Sequence, residues 1–163
     1  MMISLKHLNR RAGALLVSLL LLLTLAVSAS AAAVKMSVGV RFWRETGDKE
    51  SMADSAVDTA REATLTRQPN GTFTLELPVK QISSMNMTGS LTGIRIGEVN
   101  YEGTLSGELS NGTAVLTLKN LPASVLTGSD SNQALAVTCS IKMDTVLLGD
   151  ITTSARMSVW VER

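Results

Sequence analysis

The stretch VKMSVGVRF, residues 34–42, decides the fold class of this sequence. Its apolar residues alternate with polar or small ones, and they are Val34, Met36, Val38, Val40 and Phe42. This period of two is typical of a β-strand that buries one face and exposes the other. The alternation returns in short segments along the rest of the sequence, separated by Gly, Asn and Ser, and it predicts an all-β protein.

About eight short strands are predicted in all. The turn Pro69-Asn70-Gly71 joins the second and third of them into a hairpin. Strands at this spacing indicate an antiparallel β-sandwich or barrel. The predicted strands are residues 34–42, 62–67, 72–79, 91–96, 99–105, 113–118, 135–143 and 153–161.

One short helix is predicted after the first strand, at residues 50–58. Met52, Ala53 and Ala56 recur there at helical spacing, and either Asp48 or Ser51 is able to cap the start. Met52 stands among charged, small and polar residues, which is not the composition of a core segment. The helix is therefore expected to present this methionine near the surface.

The first 31 residues have the composition of a secretory signal peptide. Lys6, Arg10 and Arg11 precede the apolar run 12–27, and small residues at 29–31 supply the cleavage pattern. The predicted organisation is a signal peptide at residues 1–31 and one domain at residues 32–163, with a retained N-terminal anchor as the alternative. No membrane span is expected after signal cleavage.

The charge and the scarce reactive residues exclude several classes of function. Without residues 1–31 the chain carries twelve basic and fourteen acidic residues, a balance that argues against nucleic acid as a partner. The single histidine, His7, lies in the predicted signal peptide, so the domain has no imidazole for catalysis or zinc binding. Cys139 is the single cysteine, which excludes an internal disulfide. We therefore do not expect an enzyme.

The first half of the domain carries FW at 42–43, SMA at 51–53 with Ala56 behind it, Ala63 entering a strand, and NGTFTL at 70–75. The order of these features resembles a NEAT domain, the haem-handling, immunoglobulin-like sandwich exported by Gram-positive bacteria. The second half is similar in strand pattern more than in letters. The resemblance implies an immunoglobulin-like sandwich located in the secreted or cell-surface compartment of a Gram-positive bacterium.

The resemblance also implies a haem site, with one departure. In NEAT domains the segment similar to SMA lies over one haem face, and a Tyr-x-x-x-Tyr motif on the last strands supplies the iron's ligand. The last two strands here contain no tyrosine, and Thr153 and Met157 fall at the motif's two positions. Met52 and Met157 would approach the haem from opposite faces, an arrangement that resembles a streptococcal cell-surface haem-binding relative of the NEAT fold with two methionine ligands, and this second resemblance implies both as metal ligands. Thioether ligands favour ferrous iron.

Further residues are expected around the haem. Lys49, Arg44 and Ser51 near the short helix are expected to bind the propionates. Trp160 is expected to face either the pocket or solvent, because it alternates opposite to its neighbours on the last strand. For Met52 and Met157, packing in the core is the alternative to ligation. Met85 and Met87 are assigned no role.

Two functions follow from the resemblance. The first is an exported haem-binding and haem-transfer domain of an iron-acquisition system, with haem as cofactor and with haemoglobin or another NEAT-type surface protein as a partner. The second is a NEAT-like module that binds a protein and no haem. Facing methionines in an apolar pocket would favour the first, and a pocket filled by Trp160 or other side chains would favour the second.

Overall fold

The computed structural model describes residues 32–84, 87–144 and 149–162, so the predicted signal peptide lies outside the described residues. In this part of the chain the regular structure consists of ten strands and three 3₁₀ helices. The strands are β1 (Val34–Arg44), β2 (Ala63–Arg67), β3 (Phe73–Pro78), β4 (Ile82–Ser84), β5 (Met87–Ile96), β6 (Val99–Glu102), β7 (Thr104–Ser106), β8 (Val115–Leu121), β9 (Leu135–Met143) and β10 (Asp150–Val161). The 3₁₀ helices are Met52–Ala56, which we call the lid helix, Ala123–Val125 and Ser131–Gln133.

The strands form a two-layered antiparallel arrangement in which β1 belongs to both layers. Their order is β4-β5-β9-β10-β1-β2-β3-β8-β7, and β6 also pairs with β5. Val38 marks the change of layer, because it pairs with Ala63 of β2 and with Val161 of β10. Before Val38 the strand follows β2, and after it the strand follows β10. This crossover frees one edge of the second half of β1 for the lid helix.

The core lies between the two layers and is apolar. In β1 the predicted alternation is confirmed at Val38, Val40 and Phe42, which are buried, whereas Val34 at the start of the strand is 57% exposed. Cys139 on β9 is also buried, and burial raises the pKa of its thiol to about 12. The thiol is therefore protonated at neutral pH and packs as a small apolar group.

The segment predicted as one strand at residues 99–105 is divided into β6 and β7 at Gly103. β6 pairs with β5 of one layer and β7 pairs with β8 of the other, so the chain passes between layers here. The N–H of Gly103 donates to the carbonyl of Thr92, and a Cβ at Gly103 would lie 2.3 Å from Cδ1 of Leu116. Glycine is thus required by the close approach of β8.

The predicted helix at 50–58 is confirmed as a helix after β1, but it is shorter and is a 3₁₀ helix. Its five residues make a single turn between two extended segments, a length at which 3₁₀ geometry is common. Among the described residues, no helix is long and apolar enough to cross a membrane.

Candidate functional site

The lid helix is fixed to the sandwich by hydrogen bonds at its first turn and by two buried alanines. Ser51 caps the helix, since its Oγ accepts a hydrogen bond of 3.1 Å from the N–H of Ala53. Oδ1 of Asp54 accepts a hydrogen bond of 2.7 Å from the N–H of Phe42 in β1. Ala53 and Ala56 have no exposed surface. Met52, in contrast, is 42% exposed.

A groove of about 580 Å³ runs beside the lid helix. Arg41, Arg44 and Lys80 contribute positive charge to it, and Glu50 and Asp54 contribute negative charge. Its other lining residues are Ser51, Met52, Ser55, Val57 and Thr59. The groove therefore combines one exposed thioether side chain with several charged groups.

The charges in the groove are only partly neutralised by each other. Arg41 forms an ion pair of 3.1 Å with Glu50. Within the described ranges, Arg44 and Lys80 have no carboxylate partner at ion-pair distance. These two cations are therefore available to an anionic ligand. A ligand carboxylate would gain charge-assisted hydrogen bonds from them.

Asp54 lines the groove, but its carboxylate accepts a hydrogen bond from the backbone of β1. Burial raises the pKa of Asp54, while the hydrogen bond from the Phe42 N–H acts in the opposite direction. The nearby charge of Glu50 also raises this pKa. Asp54 is thus a partly desolvated acceptor that ties the lid helix to β1, and the groove keeps its positive character.

Three of the residues predicted from the sequence lie together in this groove, namely Ser51, Met52 and Arg44. Lys49 is not among the residues that line it, although its carbonyl accepts a hydrogen bond of 2.8 Å from the N–H of Arg44. The hydroxyl of Ser51 is occupied as a helix cap. Of the predicted rim, Arg44 remains as the cation best placed for a ligand.

Trp160 does not line this groove but lines a cavity that adjoins it, since the two share Arg41, Val57 and Thr59. Its indole covers Gly39, where an added Cβ would lie 2.2 Å from a ring carbon of Trp160. The same ring lines this second cavity, of about 410 Å³, whose wall also includes Asp58 and Arg61. Trp160 is therefore separate from the set that lines the groove of Met52, and its predicted role in binding haem stays a prediction.

Met157 is part of the core. It has no exposed surface, and its register partners are Phe42 of β1 and Leu135 of β9. It lines neither the groove nor the second cavity. The structure does not bring Met157 and Met52 to a shared surface. Ligation of iron by Met157 would require this part of the core to open, and the predicted role stays untested.

A second accessible apolar surface lies at the end of the β5–β9–β10 layer, on the face directed to the core. Ile141 of β9 is fully buried, whereas Met143 is partly exposed. The same change occurs in β10, where Ala155 is buried and both Ile151 and Thr153 are partly exposed. Sequence reasoning missed this surface, although the alternation Cys139, Ile141, Met143 places the last methionine on the core-directed face.

Comparison with known proteins identifies the fold but not a close relative. No protein-family model and no curated protein matches this sequence. Two similar solved structures are the NEAT5 domain of IsdX2, a B. anthracis hemophore, in complex with heme and a glutamine-to-threonine variant of that domain with heme. Each match has 8% sequence identity and covers 80% of this chain and 98% of the other, with TM-scores of 0.50 and 0.52 respectively. The chain has the NEAT fold.

The NEAT fold confirms the predicted immunoglobulin-like antiparallel sandwich with a short helix after its first strand. At 8% identity the ligand-binding residues cannot be carried over by position. They have to be read from the groove beside the lid helix and from the open end of the β5–β9–β10 layer.

Proposed function

We propose that this protein is an exported haem-binding domain that takes part in haem transfer during iron acquisition. The observation that carries the proposal is the NEAT fold, found over 80% of the chain in domains that were solved with heme. The lid helix of this chain adds a local argument, since it presents an exposed Met52 at a groove with unpaired cations.

The groove residues fit the chemistry of haem. Haem is a planar apolar macrocycle with two propionate carboxylates, and such ligands need apolar contact together with a few well-placed polar groups. Met52 offers the apolar contact, and Arg44 and Lys80 offer charge to the propionates. Ser51 and Asp54 hold the lid helix in position through their hydrogen bonds.

The iron ligand is expected to be a thioether. The sequence has a single tyrosine, Tyr101, which lies on β6 and not on the last two strands, although it lines a cavity of about 330 Å³ with Asp150 and Thr152 of β10. When bound, haem would supply the iron that exchanges electrons, and a neutral soft ligand raises its reduction potential. Met52 is the predicted ligand whose side chain lines the groove.

Export and partner binding belong to the same proposal. The composition of residues 1–31 supports secretion, and one neighbour in fold is described as a hemophore of B. anthracis. We infer that the partner is haemoglobin or another NEAT-type surface protein. Trp43 is a partly exposed aromatic residue, but its Nε1 donates to Oγ of Ser158 at 2.9 Å, and this bond holds the ring against the sheet.

The second candidate is a module with the NEAT fold that binds a protein and no haem. Two observations favour it. The last strands lack tyrosine, and Met157 is enclosed by the core instead of facing Met52. In this case the groove beside the lid helix would receive an acidic partner segment at Arg44 and Lys80.

The deciding experiment is an absorption titration of the purified protein with haemin, in the oxidised and in the dithionite-reduced state. We expect saturable one-to-one binding and weaker binding by a variant that carries Arg44→Gln and Lys80→Gln. Lys119→Gln is the matched control, because Lys119 is exposed on β8, outside the groove. A spectrum that stays that of free haemin in both states would reject the haem proposal and leave the protein-binding module.

A further inference from the structure

We propose that Met143 supplies a thioether ligand to the haem iron from the sheet side, an inference that rests on the proposed function. Met143 is the last residue of β9 and continues the core-directed face formed by Cys139 and Ile141. Unlike them it is partly exposed, although it also packs against the core. The Met143 side chain is therefore held by contacts with the core and is still accessible to a ligand.

Gly89 holds the Met143 side chain in a defined position. The two residues are register partners across β5 and β9. A Cβ at Gly89 would lie 2.9 Å from Sδ of Met143, so the sulfur lies directly over the glycine on the core-directed face. The missing side chain of Gly89 is what leaves space for the thioether. Gly89 is thus a positioning residue for Met143.

The surroundings of Met143 favour a soft, neutral ligand. Ile151 of β10 lies on the same face and packs against the core, and Met87 of β5 lies two residues before Gly89. The face also carries the hydroxyl of Thr153, but it has no carboxylate, imidazole or amine among the described residues of this end. A thioether is the donor that suits ferrous haem iron.

Accessibility distinguishes Met143 from the ligand predicted by the resemblance. Met157 has no exposed surface, so its sulfur reaches a ligand only after the core opens. Met143 needs no such opening of the core, because it is the last residue of β9 and is already partly exposed. The lid helix also contacts β5, the strand that carries Gly89. The two methionines Met52 and Met143 thus belong to elements that both touch β5.

The test compares Met143→Leu with Met36→Leu in the full protein, because Met36 lies on β1 beside Leu65 of β2 and outside this face. Leucine conserves the volume of methionine and removes the sulfur, so both variants are expected to fold. Met143→Leu should weaken binding of reduced haem by on the order of tenfold to a hundredfold and lower the reduction potential. It should also lower the amount of sulfur in the iron's coordination shell in X-ray absorption, because Met52 remains as the other thioether, whereas Met36→Leu should leave that signal unchanged.

A second readout does not depend on the iron. Exposed methionine is oxidised to its sulfoxide, so Met143 should react with dilute peroxide in the free protein and be protected when zinc protoporphyrin is bound. Unchanged potential, affinity and iron–sulfur signal in Met143→Leu would overturn the role of Met143 while haem binding stands. Failure of the unaltered protein to bind haem in either oxidation state would overturn both proposals together.

Discussion

The N–H of Phe42 donates a hydrogen bond of 2.7 Å to Oδ1 of Asp54, and this bond joins β1 to the lid helix. Pairing between β1 and β2 ends at Val38, so the edge of β1 at Phe42 has no strand beside it. The Asp54 carboxylate accepts the hydrogen bond that a carbonyl of a neighbouring strand would otherwise accept. The position of Met52 at the groove therefore depends on a residue two positions further along the same helix.

Replacing Asp54 with Ala should destabilise the protein. The N–H of Phe42 would lose its acceptor, and an unsatisfied buried donor costs roughly 1 to 3 kcal/mol. Asp54→Asn keeps an acceptor oxygen and should cost less. Urea denaturation of both variants measures the difference. Equal stability of Asp54→Ala and the unaltered protein would show that water or another group satisfies Phe42.

The stability contribution of Asp54 should depend on pH. Burial raises its pKa in the folded protein above the ordinary aspartate value of about 3.9, so the folded state binds the proton more tightly than the unfolded state. The stability of the unaltered protein relative to Asp54→Asn should therefore fall as pH rises from below the ordinary pKa through the raised one. Thermal unfolding of both proteins across this range measures the effect.

Glu76 provides the comparison of opposite sign. Hydrogen bonds from Lys35 and Thr64 lower its pKa, so its contribution is present above the ordinary pKa and is lost as pH falls through the lowered one. Glu76→Gln should remove this loss of stability at low pH. It should leave the pH dependence that arises from Asp54 unchanged. If the stability contributions of Asp54 and Glu76 changed in the same direction with pH, burial of Asp54 and hydrogen bonding to Glu76 would not be the causes of their pKa shifts.

Gly39→Ala tests the packing of Trp160. An added Cβ would lie 2.2 Å from the indole, so the ring or β1 must move, and overpacking of this kind costs about 1 to 3 kcal/mol. Combining Gly39→Ala with Trp160→Ala should remove most of the penalty, as a double-mutant cycle in denaturant would show. An additive double variant would mean that the strand, and not the ring, absorbs the clash.

The sequence predicts the layers of this fold better than their edges. The alternation from Val38 to Phe42 is a local signal, and burial follows it. β4 has three residues, too few for a period to be read, and the change of partner at Gly103 depends on strands that are distant in sequence. Local patterns report which face is apolar, but they do not report where the opposite layer ends.

The same limit explains the candidate site. Met52 is predicted at the groove because the short helix follows β1 and its polar neighbours indicate a surface position. The burial of Met157 depends on Phe42 and Leu135, which lie on other strands. Met143 was not predicted as a site residue, because its exposure depends on where the β5–β9–β10 layer ends, which a local sequence pattern does not report.

Met157→Leu and Met52→Leu separate core packing from ligand contact. Met157 has no exposed surface and Met52 is 42% exposed, although the resemblance predicts both as ligands. Met157→Leu conserves volume, so it should cost less than about 1.5 kcal/mol and leave haem affinity and the reduced spectrum unchanged. Met52→Leu should leave stability nearly unchanged, because the side chain is partly solvated, and should alter the reduced spectrum. If Met157→Leu instead weakens the iron–sulfur signal, the core opens when haem binds and the pair Met52 and Met157 is the ligand set.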